Sequence, residues 1–383
     1  MFYRLIKFLA GIGIPLYCRN RWMHCESLKN LKGPAIIASN HPNSMLDAAI
    51  TGLYCGQPIY YTIRSDVFNI AAFRTLLKWM NGIPFYRQKD GKGQSRNNFS
   101  TIEKCTEILR NGGIILIFSE GISENEWKLK PVKSGIASMV WDCRNDEHLM
   151  RSLKVLPLGI TYDNFEKGHK TIYINSGEPI LPFHNKEWET EGEWKKEFKE
   201  VLYDKMLPLA PQLHSADIKG WKFILTNYYQ TPNWNSSNTI EKLNKLATIP
   251  AKENLPSGHL PLKQERLLRN WILSLLLFPP AIAGYALNGL FYIPFRSFAK
   301  AKTKGTIFFD SVFFGSVILL YPIYWLIVGI ILSIAIPYGW ICFIAAPLSA
   351  WFAIEWNYNI SSLLNYIRAS GKQKELLKNF FSV

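Results

Sequence analysis

Between residues 33 and 214 the chain alternates short apolar runs with longer segments whose apolar positions recur at helical spacing. The runs predict strands over residues 35–38, 59–63, 83–86, 114–118, 155–161 and 171–175. The segments between and after them predict helices over 44–54, 70–80, 98–111, 131–143 and 193–213. This order implies an α/β domain, a largely parallel sheet with covering helices, spanning 33–214. In such sheets reactive groups gather in the loops at the carboxyl ends of the strands. His41 follows the first run, Arg87 the third and Glu120 the fourth.

The pattern changes on either side of that domain. Residues 1–32 open with early positive charge and an apolar run broken by Gly11, Gly13 and Pro15. They read as an N-terminal membrane-interface segment rather than a cleaved leader, a buried first helix being the competing reading. Residues 215–262 are rich in Pro, Asn and Ser and read as a linker or irregular extension, with one short helix from Thr239. Residues 263–383 read as a membrane domain of C-terminal transmembrane and re-entrant helices. The stretch from Trp271 to Phe295 is uncharged and carries Pro279-Pro280, and Val312 to Ile354 is uncharged throughout, with Pro337-Tyr338-Gly339 dividing it in two.

Basic residues flank these stretches: Lys263, Arg266 and Arg269 before the first, Arg296, Lys300, Lys302 and Lys304 between them, and Arg368, Lys372, Lys374 and Lys378 after the last. All three flanks read as cytoplasmic under the positive-inside rule. The first stretch is then expected to enter and return as a hairpin tipped by the two prolines, and the second to cross twice. An integral membrane protein is expected, with the 33–214 domain on the cytoplasmic face.

Composition narrows the partner. A net charge of +15 asks for an anionic one, and with no nucleic-acid-binding motif and basic residues clustered beside apolar runs, a phospholipid membrane is expected rather than nucleic acid. The six cysteines form no C-x-x-C pair and have no nearby histidine at ligand spacing. Neither a metal site nor a disulfide framework is signalled, and reduced core thiols are expected.

Four blocks carry candidate chemistry. In Asn40-His41-Pro42-Asn43-Ser44-Met45-Leu46-Asp47, a histidine with a carboxylate in reach is equipment for deprotonating a hydroxyl. An Asn43 cap and a helix-surface Asp47 fit the same residues. Six positions on a regular helix turn ~600°, so the two side chains can meet only if His41 precedes the helix and Asp47 lies inside it. In Gly82-Ile83-Pro84-Phe85-Tyr86-Arg87 a guanidinium ends a strand, placed to bind phosphate or simply exposed after a turn. In Ile117-Phe118-Ser119-Glu120-Gly121-Ile122-Ser123 the glycine lets backbone approach an anion and the carboxylate can position cationic groups, while a strand-end turn is the plain alternative. The strand at 155–160, Val-Leu-Pro-Leu-Gly-Ile, reads as packing.

The order of these blocks resembles the glycerol-phosphate and lysophosphatidic acid acyltransferase family over roughly residues 33–180, with Lys133-Ser134-Gly135 similar to the Lys-x-Gly that follows the third block. The membrane segments lie outside the resemblance. His41 and Asp47 are separated by five residues rather than the usual four, a spacing similar to the fungal-type glycerol-3-phosphate acyltransferase branch. Ser119 and Ile122 stand where Pro and Thr are usual, with a hydroxyl at Ser123 one place later.

The resemblance implies transfer of a fatty acyl group from acyl-CoA or acyl-carrier protein, as cosubstrate, to a hydroxyl of glycerol-3-phosphate or lysophosphatidic acid, with no metal or bound cofactor. It implies His41 as general base, Asp47 as its orienting partner, and Arg87 with Lys133 on the acceptor phosphate in a pocket shaped by Glu120 and Gly121. The alternatives are another lysophospholipid or a phosphate-free lipid as acceptor, and a non-catalytic lipid-binding protein.

Overall fold

The computed structural model describes residues 2–69, 71–86, 95–166, 168–183, 190–213, 218–230, 239–245 and 259–381. The strands are β1 (Cys18–His24), β2 (Ala35–Ser39), β3 (Ile59–Arg64), β4 (Gly82–Phe85), β5 (Ile114–Phe118), β6 (Lys154–Tyr162) and β7 (Lys170–Ser176). The main helices of the domain are α1 (Phe2–Tyr17), α2 (Met45–Tyr54), α3 (Ala71–Trp79), α4 (Ser95–Arg110), α5 (Ser134–Asp142), α6 (Glu191–Met206) and α7 (Ile218–Asn227). One seven-stranded sheet results, in the order β1-β7-β6-β2-β5-β3-β4, with β6–β7 the antiparallel neighbour pair and the other pairs parallel. The α/β fold with a largely parallel sheet is thus borne out.

The central strands are apolar on both faces because both faces are covered. Along β2, Ile36 and Ala38 join Ile115, Ile117 and Val155 in a core closed by α4, α5 and α6. Ala35 and Ile37 join Ile114, Leu116, Leu156 and Ile160 in the opposite core, against Ile14 of α1 and Leu46 and Ile50 of α2. α6 starts on a full capping box, Thr190 and Glu193 exchanging side-chain and backbone bonds.

β1 has no counterpart among the predicted strands. Its sequence, Cys-Arg-Asn-Arg-Trp-Met-His, is too polar for a core run, and a register irregularity between Cys18 and Asn20 breaks the period of two. It forms because it is an edge strand: Cys18 and Trp22 are buried, Arg21 stays exposed, and Arg19 pairs with Glu355 at 2.6 Å. α1 buries Ala10, Ile14 and Tyr17 and exposes Leu5, Phe8 and Ile12 along another face.

Within 215–262, residues 215–217, 231–238 and 246–258 are outside the described residues. α7 lies against β7, where the Tyr173 hydroxyl donates to the Leu225 carbonyl at 3.2 Å, and Thr239–Lys245 is the short helix.

Beyond residue 263 come α8 (Gln264–Leu276), α9 (Phe278–Lys302), α10 (Phe309–Ala335) and α11 (Cys342–Arg368). Two described helices are long and apolar enough to cross a membrane, Phe309–Ala335 and Gly339–Arg368, and the break between them falls at the expected Pro337-Tyr338-Gly339. The stretch expected to enter and return is α8 and α9, meeting at a 60° bend that suits a broken span or a re-entrant loop. Pro279 and Pro280 lie in the first turn of α9, where a missing N–H leaves no helix bond broken. The bundle is held by close approach and buried amides: a Cβ on Gly284 would meet the Ser349 carbonyl, and Asn288 donates to the Ala346 carbonyl at 3.1 Å while accepting from Tyr321 at 2.7 Å. α10 also enters the domain. Phe309, Phe313 and Phe314 belong to the same core as Ile37 and Leu46.

Candidate active site

The site is built on the loop between β2 and α2. Asn40, at the end of β2, is buried and exchanges two hydrogen bonds with Ile160 of β6: its Nδ2 donates to the carbonyl at 2.9 Å and its Oδ1 accepts from the N–H at 2.8 Å. An amide imitating a strand's own bonding pins the loop to the neighbouring strand. The chain then turns at Ser44, whose φ of 48° is left-handed, with its N–H donating to Ser123 Oγ at 3.0 Å. The hydroxyl one place beyond the usual threonine position thus holds the turn.

His41 stays outside the helix and Asp47 lies in its first turn, the arrangement that the six-position spacing requires. His41 Nδ1 and Asp47 Oδ2 are 2.9 Å apart. Asp47 is fully buried and ringed by donors: the Asn43 N–H reaches Oδ2 at 2.7 Å and the Tyr162 hydroxyl reaches Oδ1 at 2.7 Å. Burial, and then the Asp47 charge, push the Tyr162 phenol well above its ordinary range, so it remains a donor. A carboxylate only accepts, so Nδ1 carries the proton and Nε2 is left with its lone pair. The imidazole lies flat on Phe118 at the end of β5, ring centroids 3.5 Å apart and planes 10° apart, which fixes the ring plane as Asp47 fixes its rotation.

Glu120 sits behind the histidine. Its Oε2 accepts from the His41 N–H at 3.2 Å and its Oε1 from the Lys130 N–H at 3.0 Å. Burial raises its carboxyl from 4.5 to about 7 despite those bonds. Gly121 has a φ of +69°, and a Cβ there would come 3.2 Å from Lys133 Cγ. Lys133 is exposed just before α5, its N–H on the Ser119 carbonyl at 2.8 Å. His41, Asp47, Glu120, Gly121 and Lys133 therefore gather at the carboxyl ends of β2 and β5, while Arg87 lies outside the described residues.

Three residues of this centre were not singled out by the sequence. Phe118 looked like the last apolar residue of a strand. Tyr162 lies just beyond the run read as packing and is the last residue of β6, so its one signal is a polar atom following that run. Asn43 fitted a cap, but its N–H serves Asp47. Among the described residues no three His, Cys, Asp or Glu side chains converge as a metal ion needs.

A buried carboxylate holding one tautomer of a partly exposed imidazole leaves Nε2 free to take a proton from a hydroxyl. Residues 22–161 match the family model Acyltransferase. Over 131 residues the chain is 25% identical to the chloroplastic 1-acyl-sn-glycerol-3-phosphate acyltransferase BAT2 of Brassica napus, covering 34% of this chain and 36% of that protein. Over 162 residues it is 27% identical to the chloroplastic 1-acyl-sn-glycerol-3-phosphate acyltransferase LPAT1 of Arabidopsis thaliana, covering 40% and 42%. The match spans about two fifths of the length of these curated relatives. Among solved structures, the 1-acyl-sn-glycerophosphate acyltransferase PlsC of Thermotoga maritima aligns with a TM-score of 0.39 at 15% identity, over 53% of this chain and 78% of that one.

Proposed function

We propose, from the match of residues 22–161 to the Acyltransferase family model, that the chain is a membrane-bound enzyme transferring a fatty acyl group from a thioester to a hydroxyl of a phosphorylated glycerol acceptor. The observation that carries the reading is the His41–Asp47 pair, 2.9 Å apart, beside the first turn of an apolar helix. The Met45 N–H, at the start of α2, donates to Ser311 Oγ at 3.1 Å, and Ser311 is in the first turn of α10. A base at that level meets a water-borne thioester from one side and a lipid from the other.

In this reading Nε2 of His41 takes the proton of the acceptor hydroxyl as its oxygen attacks the thioester carbonyl. The tetrahedral intermediate collapses, the C–S bond breaks, and the imidazolium returns the proton to the departing thiolate. Asp47, held by Tyr162 and Asn43, stabilises the imidazolium between those steps. Arg87 and Lys133 bind the acceptor phosphate, and Glu120 and Gly121 shape that pocket. Acyl-CoA or acyl-carrier protein is the donor, and the catalytic domain faces the cytoplasm, as the basic flanks of the apolar helices favour.

The named relatives favour lysophosphatidic acid as acceptor. The five residues between His41 and Asp47 favour glycerol-3-phosphate as the second reading. Labelled acyl-CoA supplied with either acceptor to the enzyme in vesicles, followed by lipid mass spectrometry, separates them. His41→Ala is expected to abolish product while expression and membrane association persist. Near-normal turnover by that variant overturns the assignment, and an inactive wild type favours a non-catalytic lipid-binding protein.

A further inference from the structure

A second buried carboxylate lies one residue away from the dyad's support. Asp310, in the first turn of α10, is fully buried and paired with the equally buried Lys170 ammonium of β7. Its Oδ1 accepts from the Tyr17 hydroxyl at 2.5 Å and its Oδ2 from Asn43 Nδ2, also at 2.5 Å. Because Asp310 can only accept, the orientation of the Asn43 amide is set: Nδ2 faces Asp310. Asn43 Oδ1 is then buried without a partner among the described residues. The backbone N–H of the same residue donates to Asp47 Oδ2.

Stability alone does not account for this arrangement. A buried ion pair is commonly matched or bettered by apolar side chains of similar volume. What the arrangement secures is the position of Asn43, held at its side chain by Asp310 of α10, which Tyr17 of α1 and Lys170 of β7 fix in turn, and at its backbone by Asp47. The neighbouring Ser311 holds the Met45 N–H, so the first turn of α10 grips the loop at two points. None of these α10 atoms touches the imidazole, and α10 lies outside residues 22–161.

We propose that Asp310 is a positioning residue for acyl transfer, acting through Asn43 on Asp47, so that the membrane helix α10 completes the active site. The inference rests on the acyl-transfer reading above.

The test compares Asp310→Ala combined with Lys170→Met, which removes acceptor and counterion together, with Asp310→Asn combined with Lys170→Met, which restores an acceptor for the Asn43 amide. Asn43→Ala is made alone and on the first pair. Turnover of labelled acyl-CoA with lysophosphatidic acid is measured in vesicles, with thermal melts as the folding control. The Ala/Met pair is expected to lower kcat about tenfold with the acceptor KM unchanged, and the Asn/Met pair to recover most of that loss. Asn43→Ala is expected to lose as much as the Ala/Met pair, and their combination no more, since both break one linkage.

Wild-type kcat in the Ala/Met pair, an equal loss in the Ala and Asn pairs, or losses that multiply with Asn43→Ala would each overturn the proposal. If the pairs do not fold, unchanged kcat in Asn43→Ala overturns it and a tenfold loss at constant KM supports it. A wild type without turnover removes the acyl-transfer reading and this inference with it. An active wild type with an unaffected Ala/Met pair removes only the inference.

Discussion

In the proposed mechanism Asp47 performs two tasks, orienting the imidazole and stabilising its charge, and Asp47→Asn separates them. In many dyads this replacement presents an amide NH₂ to the histidine and inverts its tautomer. Here the donors on Asp47 are arranged differently. His41 Nδ1 and the Asn43 N–H both point at Oδ2, and a backbone N–H cannot become an acceptor. Among the described residues Oδ1 has the Tyr162 hydroxyl as its partner, whose proton can rotate away. In the lowest-energy form of the variant, the new amide therefore keeps its carbonyl oxygen at the Oδ2 position and donates from NH₂ to the Tyr162 oxygen. The tautomer survives and only the charge is lost.

Two unit charges ~4 Å apart at an effective dielectric of ~20 interact by about 4 kcal/mol. Part of that remains as a neutral hydrogen bond to the amide, so the imidazolium should lose about 3 kcal/mol of stabilisation, on the order of a 100-fold fall in kcat. Acyl transfer by Asp47→Asn, measured beside His41→Ala at saturating acceptor, checks this. A loss as large as that of His41→Ala would show that the tautomer is not held as described, and wild-type turnover would show that the charge is idle. Asp47→Asn with Tyr162→Phe is the internal control: the amide NH₂ then has no acceptor, and the double variant should fall well below Asp47→Asn alone.

Glu120 makes a pH prediction. Its carboxyl keeps a proton to about pH 7 in the folded state but releases it near 4.5 when unfolded. The folded state binds more protons between those values, so stability falls as pH rises through the window, by about 3 kcal/mol at most. Melting temperatures of Glu120→Gln and wild type at about pH 5 and about pH 8 should diverge accordingly, and parallel melts would refute the burial argument. Gly121→Ala places a side chain at φ +69° against Lys133 Cγ; a cost of about 1 kcal/mol, or ~3 °C in Tm, is expected by calorimetry. A cysteine at the exposed Lys302, in a Cys342→Ser background, should be labelled by impermeant reagent only from the cytoplasmic side, and labelling from outside refutes the orientation.

Much of the architecture was readable along the chain because it depends on local periodicity. Core strands such as β5 are unbroken apolar runs, since a central strand covered on both faces has no side left for polar residues. The uncharged stretches after residue 263 predicted helices, the form that satisfies its own backbone in hydrocarbon, and two described helices there are long and apolar enough to cross a membrane. The spacing of His41 and Asp47 required one residue before the helix and one within it, and that is their geometry.

What only the tertiary structure decided depends on partners far apart in sequence. Tyr162 meets Asp47 because β6 lies beside β2, a pairing that no local pattern encodes. Glu120 has its raised carboxyl because the folded chain buries it, and burial is a property of the whole packing rather than of Phe-Ser-Glu-Gly. β1 exists because β7 offers an edge and α11 offers Glu355 to Arg19. Asp310, in the sequence a lone charge just ahead of an apolar run, becomes a neighbour of the loop that carries His41 only when α10 enters the core with Phe313 and Phe314. Local pattern chose the elements; long-range packing chose which polar atoms among them would meet.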